Sequence, residues 1–194
     1  MRVCLLHIIS VLTLLFASTG AMKEQAARGP GKALVPDDTI QDLLNHSAFT
    51  GFGWLLLPWD DRAYDQTMRL RSLDALLPYH SHVNPSAVVS ALNHMIDDVN
   101  GGKTIFYEFY PPDSKEPQAG KSNTGLFFFR GKPGAPFAII SPGGGFSYVG
   151  SIHEGFSYAV AISKQGYNAF VLRSSSGRRR STRHGDADEK ARDE

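Results

Sequence analysis

The hydrophobic positions of this chain fall into four regimes. From Val3 to Phe16 they run almost without interruption, broken only by His7, Ser10 and Thr13. From Ile40 to Val99 they recur at helical spacing. Ile40, Leu43 and Leu44 share a face behind the acids Asp37 and Asp38. Val88, Val89, Leu92, Met95, Ile96 and Val99 do the same in the stretch that opens at Pro85. Asn84 stands where an N-cap belongs, Pro85 takes the first helical position, where a missing N–H costs nothing, and Asn100-Gly101-Gly102 supplies the stop. A short helix is predicted over Leu70 to Leu77, ended by Pro78, and residues 51–59 form a Gly- and Pro-marked loop. After Gly102 the period changes. Thr104 to Tyr110, Gly125 to Arg130, Phe137 to Ser141 and Tyr167 to Leu172 are aromatic or β-branched runs bounded by turn residues, which predicts strands, the third of the fully buried type. A helix from about Ile152 to Lys164 separates the last two and stops at Gly166. Strand, glycine loop, helix, glycine and strand make a βαβ unit, which predicts a parallel sheet in an α/β fold.

The two ends depart from this middle. Met1-Arg2, the apolar run and the small residues Ala17 to Ala21 have the order of a secretory signal peptide over residues 1–21, placing the mature chain outside the cell or in the periplasm and cell envelope. The run is shorter than the roughly 20 residues that cross a bilayer, so no stable membrane anchor is expected. Cys4, the single cysteine, lies inside that segment, and a mature chain from about Met22 has neither disulfides nor thiolate chemistry. Residues 22–36 look like a linker, 37–102 a helical N-terminal extension, and 103–173 the α/β part. From Ser174 to Glu194 there are 11 charged residues and no aliphatic side chain larger than Ala. Such a segment cannot bury enough apolar area to offset its ordering entropy, so residues 174–194 are expected to be a disordered tail. Its basic cluster, Arg178 to Arg180, is balanced by the acids that follow. The 194 residues, 42% hydrophobic and 20% charged with a net charge of +1, describe a globular chain without an electrostatic footprint for nucleic acid.

The chemistry concentrates at Pro142-Gly143-Gly144-Gly145-Phe146, between a strand and a helix. Three glycines let the backbone turn sharply and meet a ligand without Cβ clashes, and their N–H groups near a helix start form an anion-binding concavity. Phosphate is disfavoured, because no Gly-Lys-Ser/Thr follows and Tyr148 stands where a dinucleotide fingerprint needs its last glycine. A tight turn without a ligand is the competing reading. Elsewhere His80 and His82 are two residues apart and His94 lies on the Pro85 helix, but no third ligand stands at a metal-site spacing. Tyr79 to His82 is a candidate pocket loop. No metal and no cofactor is implied.

The stretch Phe137-Ala-Ile-Ile-Ser-Pro-Gly-Gly-Gly-Phe-Ser-Tyr-Val-Gly, with His153-Glu154-Gly155-Phe156 and Gly166-Tyr-Asn-Ala-Phe-Val-Leu-Arg173, resembles the α/β-hydrolase esterases. It is most similar to the bacterial acetyl-esterase and carbohydrate-esterase-like branch, with Pro-Gly-Gly-Gly-aromatic as oxyanion loop. The resemblance implies the N-terminal half of an α/β-hydrolase sheet preceded by a helical extension. It implies oxyanion-hole N–H groups at Gly144 and Gly145, a turn at Gly143, and substrate contacts at Gly143, Phe146 and His153. Glu154 matches a family acid that favours the helix N-terminus, whereas Ser157 replaces a proline common in relatives. The implied activity is hydrolysis of a small-molecule or carbohydrate ester by a Ser-His-Asp/Glu triad, whose nucleophile sits in a strand-to-helix elbow. Gly155-Phe-Ser157-Tyr-Ala159 has the letters of that elbow but lies inside the predicted helix, and Ser147 reads as a loop or cap residue. Nucleophile, acid and histidine are therefore expected to be absent. The expectation is an inactive, truncated secreted esterase, ended by a frameshift or early stop after Arg173 and left with an open strand edge at Tyr167 to Leu172. The alternative is a secreted non-catalytic protein that uses the glycine loop to hold a carboxylate or glycan.

Overall fold

The computed structural model describes residues 31–59, 62–77, 83–110, 123–145 and 147–174. The short helix α1, Ile40–Asn45, starts at Thr39, whose hydroxyl accepts the Asp42 N–H while the Asp42 carboxylate accepts the Thr39 N–H. This reciprocal capping box, not the pair Asp37-Asp38, sets the helix start. Asp38 accepts the Val35 N–H, and Asp37 pairs with Arg71. Three short 3₁₀ elements follow among the described residues, at Ser47–Phe49, Gly53–Leu56 and Leu70–Leu76. The last, predicted as a short helix over Leu70 to Leu77, is a 3₁₀ helix with a kink at Ser72. Its buried Leu70, Leu73 and Leu76 recur every three residues, the period of a 3₁₀ turn.

Helix α2, Pro85–Asn100, is capped as its sequence predicts, the Asn84 side chain accepting the N–H groups of Ser86 and Ala87. Its Asn93 and Asn100, seven residues apart on one face, each clasp a backbone peptide of the incoming chain. Asn93 accepts the Leu34 N–H and donates to the Leu34 carbonyl, and Asn100 does the same for Gly31. Residues 31–36, expected as part of a linker, are thus tied down, with Leu34 in the core.

Among the described residues four strands follow: β1 Phe106–Glu108, β2 Gly125–Phe129, β3 Phe137–Ile140 and β4 Asn168–Arg173. The sheet order is β1-β2-β4-β3. The predicted parallel sheet is corrected to a mixed one: β1–β2 and β2–β4 pair antiparallel, and only β3–β4 is parallel. Parallel neighbours need a long crossover, usually a helix, and helix α3, Phe156–Lys164, provides it for β3 and β4 alone.

Alternation along the strands divides the sheet into two faces. Phe127 and Phe129 of β2 and Ala169, Val171 and Arg173 of β4 have no exposed surface. They share one core with Leu92, Met95 and Ile96 of α2 and Phe156 and Ala159 of α3, and that core runs from Leu34 to Val171. The helical N-terminal stretch and the sheet are therefore packed as one unit. The other face carries Tyr107, Phe137 and Ile139, all exposed, beside the half-buried Leu126, Phe128, Phe170 and Leu172. Its rings lean on one another, Phe128 stacking on Phe170 at 4.4 Å between centroids and Phe137 meeting Phe170 edge-on at 5.9 Å. Two further expectations change as a result. β3 is not fully buried, since Phe137 is 65% and Ile139 60% exposed. The open edge is β3, not Tyr167 to Leu172, because β4 lies between two partners.

Phe156 joins helix to sheet, meeting Phe127 edge-on at 5.0 Å and Phe129 at 5.5 Å. Phe156→Ala is expected to lower unfolding free energy by about 3–5 kcal/mol, read as a shift of the urea midpoint. Tyr158→Ala, on the exposed side of the same helix, is expected to stay within about 0.5 kcal/mol of the parent chain.

Candidate functional site

The loop at the carboxyl end of β3 is closed by its own backbone. The Gly150 N–H donates to the Gly143 carbonyl at 3.0 Å, and the Ser147 and Tyr148 N–H groups converge on the Gly144 carbonyl at 2.9 and 3.3 Å. Gly145 has φ +56°, a conformation that L-residues other than glycine adopt at a cost. Gly144 has no room for a side chain, because a Cβ would overlap the Tyr148 carbonyl oxygen.

Glu154 locks this loop to the following helix. It lies in a π-helical turn, Ser151–Gly155, that precedes α3, and its Oε2 accepts the Gly143 N–H at 3.0 Å. The carboxylate expected to serve a helix N-terminus thus anchors the first glycine. The π turn brings Gly155 against β4, where a Cβ would lie 2.5 Å from a Val171 methyl. Burial, and then the Glu154 charge, push the Tyr148 phenol above its ordinary range.

The far end of the loop is held from the N-terminal stretch. The Val149 N–H donates to the Pro58 carbonyl at 3.0 Å. The fully buried Arg173 guanidinium donates through Nη1 to the Leu57 carbonyl at 3.0 Å and to the Val149 carbonyl at 3.4 Å. Beside them the Trp59 ring meets Tyr148 at 6.0 Å and 64°. Trp59 is fixed by the Tyr64 hydroxyl, which accepts its N–H at 2.6 Å and donates to its carbonyl at 3.0 Å. The Arg62 guanidinium lies over the Trp59 ring, 4.8 Å from its centroid.

The residues singled out from sequence divide accordingly. Gly144 and Gly145 present N–H groups that no described residue accepts, one half-buried and one exposed. Gly143 has given its N–H to Glu154 and supplies the turn. His153, expected to touch substrate, is instead buried in the core. Its Nε2–H donates to the Leu73 carbonyl at 2.8 Å, and this ties the π turn to the 3₁₀ helix at Leu70–Leu76. Phe146, Tyr79, His80 and His82 lie outside the described residues. His94 stacks on Phe129 at 6.0 Å. Ser157 is in α3 and Ser147 in an exposed turn, so neither occupies a strand-to-helix elbow. Among the described residues no group of three or more His, Cys, Asp or Glu side chains gathers to hold a metal, and no helix is long and apolar enough to cross a membrane.

Arg173 and Tyr148 were not foreseen. Arg173 was legible in principle, because Ala169, Val171 and Arg173 alternate along β4 and must share its buried face. Comparison with protein-family models, with curated proteins and with solved structures finds no match to this chain.

Chemically, the loop offers two adjacent N–H groups at the carboxyl end of a parallel strand, on a backbone immobilised by Glu154 at one end and Arg173 at the other. Gly144→Ala is expected to displace the Tyr148 peptide and cost about 1–3 kcal/mol, with amide shift changes confined to residues 143–150. Because the Tyr148 phenol is raised, the folded state holds its proton more tightly than the unfolded chain. Its contribution to stability is complete below the ordinary tyrosine value, near 10, and is lost as pH rises above it. Tyr148→Phe is expected to flatten that alkaline fall. In an absorbance titration at 295 nm the variant should lack one tyrosine that titrates above the ordinary range.

Proposed function

We propose that the loop at 143–145 is the oxyanion-binding element of a secreted carboxylic-ester hydrolase of the α/β-hydrolase kind, acting on small-molecule or carbohydrate esters. The observation that carries this reading is positional. A glycine triplet leaves the third strand of the chain ahead of its crossover helix, with the Gly144 and Gly145 N–H groups left for an acceptor. In α/β hydrolases one oxyanion-hole donor comes from the loop between the third strand and the first helix, and another from the residue after the nucleophile. One such donor is worth about 3–4 kcal/mol of barrier. The mixed four-stranded sheet with its parallel β3–β4 pair agrees with the first half of that fold.

The same geometry sets what this chain does by itself. No serine among the described residues has the elbow setting, and the one histidine of the π turn is committed to Leu73. The chain then holds a carboxylate or oxyanion without turning over an ester, since electrostatic stabilisation without a nucleophile leaves only residual catalysis.

Titration of the ¹⁵N-labelled chain with sodium acetate, against chloride at equal ionic strength, is expected to shift the Gly144 and Gly145 amides saturably. Hydrolysis of p-nitrophenyl acetate should stay at the buffer rate. Unmoved glycine amides would remove the anion site. Hydrolysis above background that disappears in Ser157→Ala or Ser147→Ala would show that the chain carries a nucleophile after all.

A further inference from the structure

The side chain that closes the outer end of the clasp on α2 also stands in the most labile sequence setting an asparagine can have. Asn100 Oδ1 accepts the Gly31 N–H at 2.8 Å, and its Nδ2 donates to the Gly31 carbonyl at 3.0 Å. Accepting and donating at once takes an amide, because an ionised carboxylate only accepts. Asparagine is a thermolabile residue, and its amide is lost when the next peptide nitrogen attacks it. A side chain on the following residue hinders that attack, and glycine has none. Of the six asparagines, Asn100 alone precedes a glycine, while the others precede His46, Pro85, His94, Thr124 and Ala169. Asn100 is exposed and is the last residue of α2.

We propose that Asn100 is a site of spontaneous deamidation, and that its conversion undoes the clasp on Gly31. The Gly101 peptide nitrogen gives its proton to hydroxide and bonds to Asn100 Cγ. The Cγ–Nδ2 bond then breaks, and the amide nitrogen leaves as ammonia with a proton taken from water. Water adds to one of the two carbonyls of the cyclic imide and opens it to aspartate or isoaspartate. Water is the only co-reactant, and nothing is oxidised or reduced.

The fold sets the pace and the consequence. The Gly101 N–H is held by the Asp97 carbonyl at 2.9 Å, so the final turn of α2 must open before the nitrogen can attack. Helix ends open at small cost, and the grip of Asn100 on Gly31 resists that opening. After conversion a carboxylate oxygen faces the Gly31 carbonyl where Nδ2 had donated. The new charge also lies at the helix C-terminus, where the dipole disfavours it, three residues from Asp97. The clasp cannot re-form, whereas Asn93 keeps its hold on Leu34. The released part of the tether is therefore its outer end, at Gly31.

Warm incubation of the full chain in mildly alkaline buffer, followed by peptide mass mapping, is expected to show an amide-to-acid mass gain at Asn100. That gain should outpace any at the other asparagines several-fold. Gly101→Ala is the control, because Gly101 has φ −80° and a Cβ there would lie 3.4 Å from the Asp97 and Asp98 carbonyl oxygens. It is expected to slow the gain several-fold and leave the Gly31 amide resonance in place. In the ¹⁵N-labelled Asn100→Asp variant, the Gly31 amide should exchange with solvent several-fold faster than in the parent. The Leu34 amide, held by Asn93, should keep its rate. No mass gain at Asn100, or one no faster than at the other asparagines, overturns the proposal, as does a rate indifferent to Gly101→Ala. A Gly31 amide as slow in Asn100→Asp as in the parent overturns the release of the clasp.

Discussion

A guanidinium with no exposed surface must find its acceptors within the protein, because an unpaired buried charge is among the costliest defects a fold can carry. Arg173 is that group here, and the layout around the glycine loop follows from it. Its position at the end of β4, in phase with Ala169 and Val171, aims it into the core. There Nη1 meets the Leu57 carbonyl from the N-terminal stretch and the Val149 carbonyl from the loop. Two segments distant in sequence are thereby brought to one point beneath the loop. The Val149–Pro58 hydrogen bond and the Trp59–Tyr148 ring contact then complete the seam. The N-terminal stretch is consequently part of the loop's seat.

Glu154 plays the reciprocal part at the other end. By accepting the Gly143 N–H it removes one donor from the loop and steadies the next two, and its charge raises the neighbouring Tyr148 phenol. The π turn that presents Glu154 is possible only because Gly155 lets the chain press against Val171. A site of this kind depends less on reactive side chains than on peptide groups held still, which is how preorganised dipoles act in acyl-transfer sites.

Much of this was legible from sequence, for local reasons. Helix α2 announces itself through Asn84, Pro85 and six apolar positions in phase, and the strands through aromatic and β-branched runs. The glycine loop was visible because three consecutive glycines have few structural uses. What failed was decided by partners. Whether Phe137 and Ile139 are covered depends on which strand lies beside β3, and no local pattern encodes that β4 inserts between β2 and β3. The burial of His153 depends on the Leu73 carbonyl, eighty residues away. The tethering of residues 31–35 depends on two asparagines of α2 that read as ordinary surface amides.

The insertion of β4 has a kinetic consequence. The fourth described strand is an interior strand of the sheet, so β2 and β3 have no hydrogen-bonded link until residues 168–173 arrive. A nascent chain carries the β1–β2 pair, with Phe127 and Phe129 awaiting cover, while β3 lacks the one neighbour that orients it. Completion of the sheet is therefore a late event coupled to closure of long loops, a topology that slows folding and prolongs exposure of apolar rings. β4 acts as a keystone, set between two strands that are made before it.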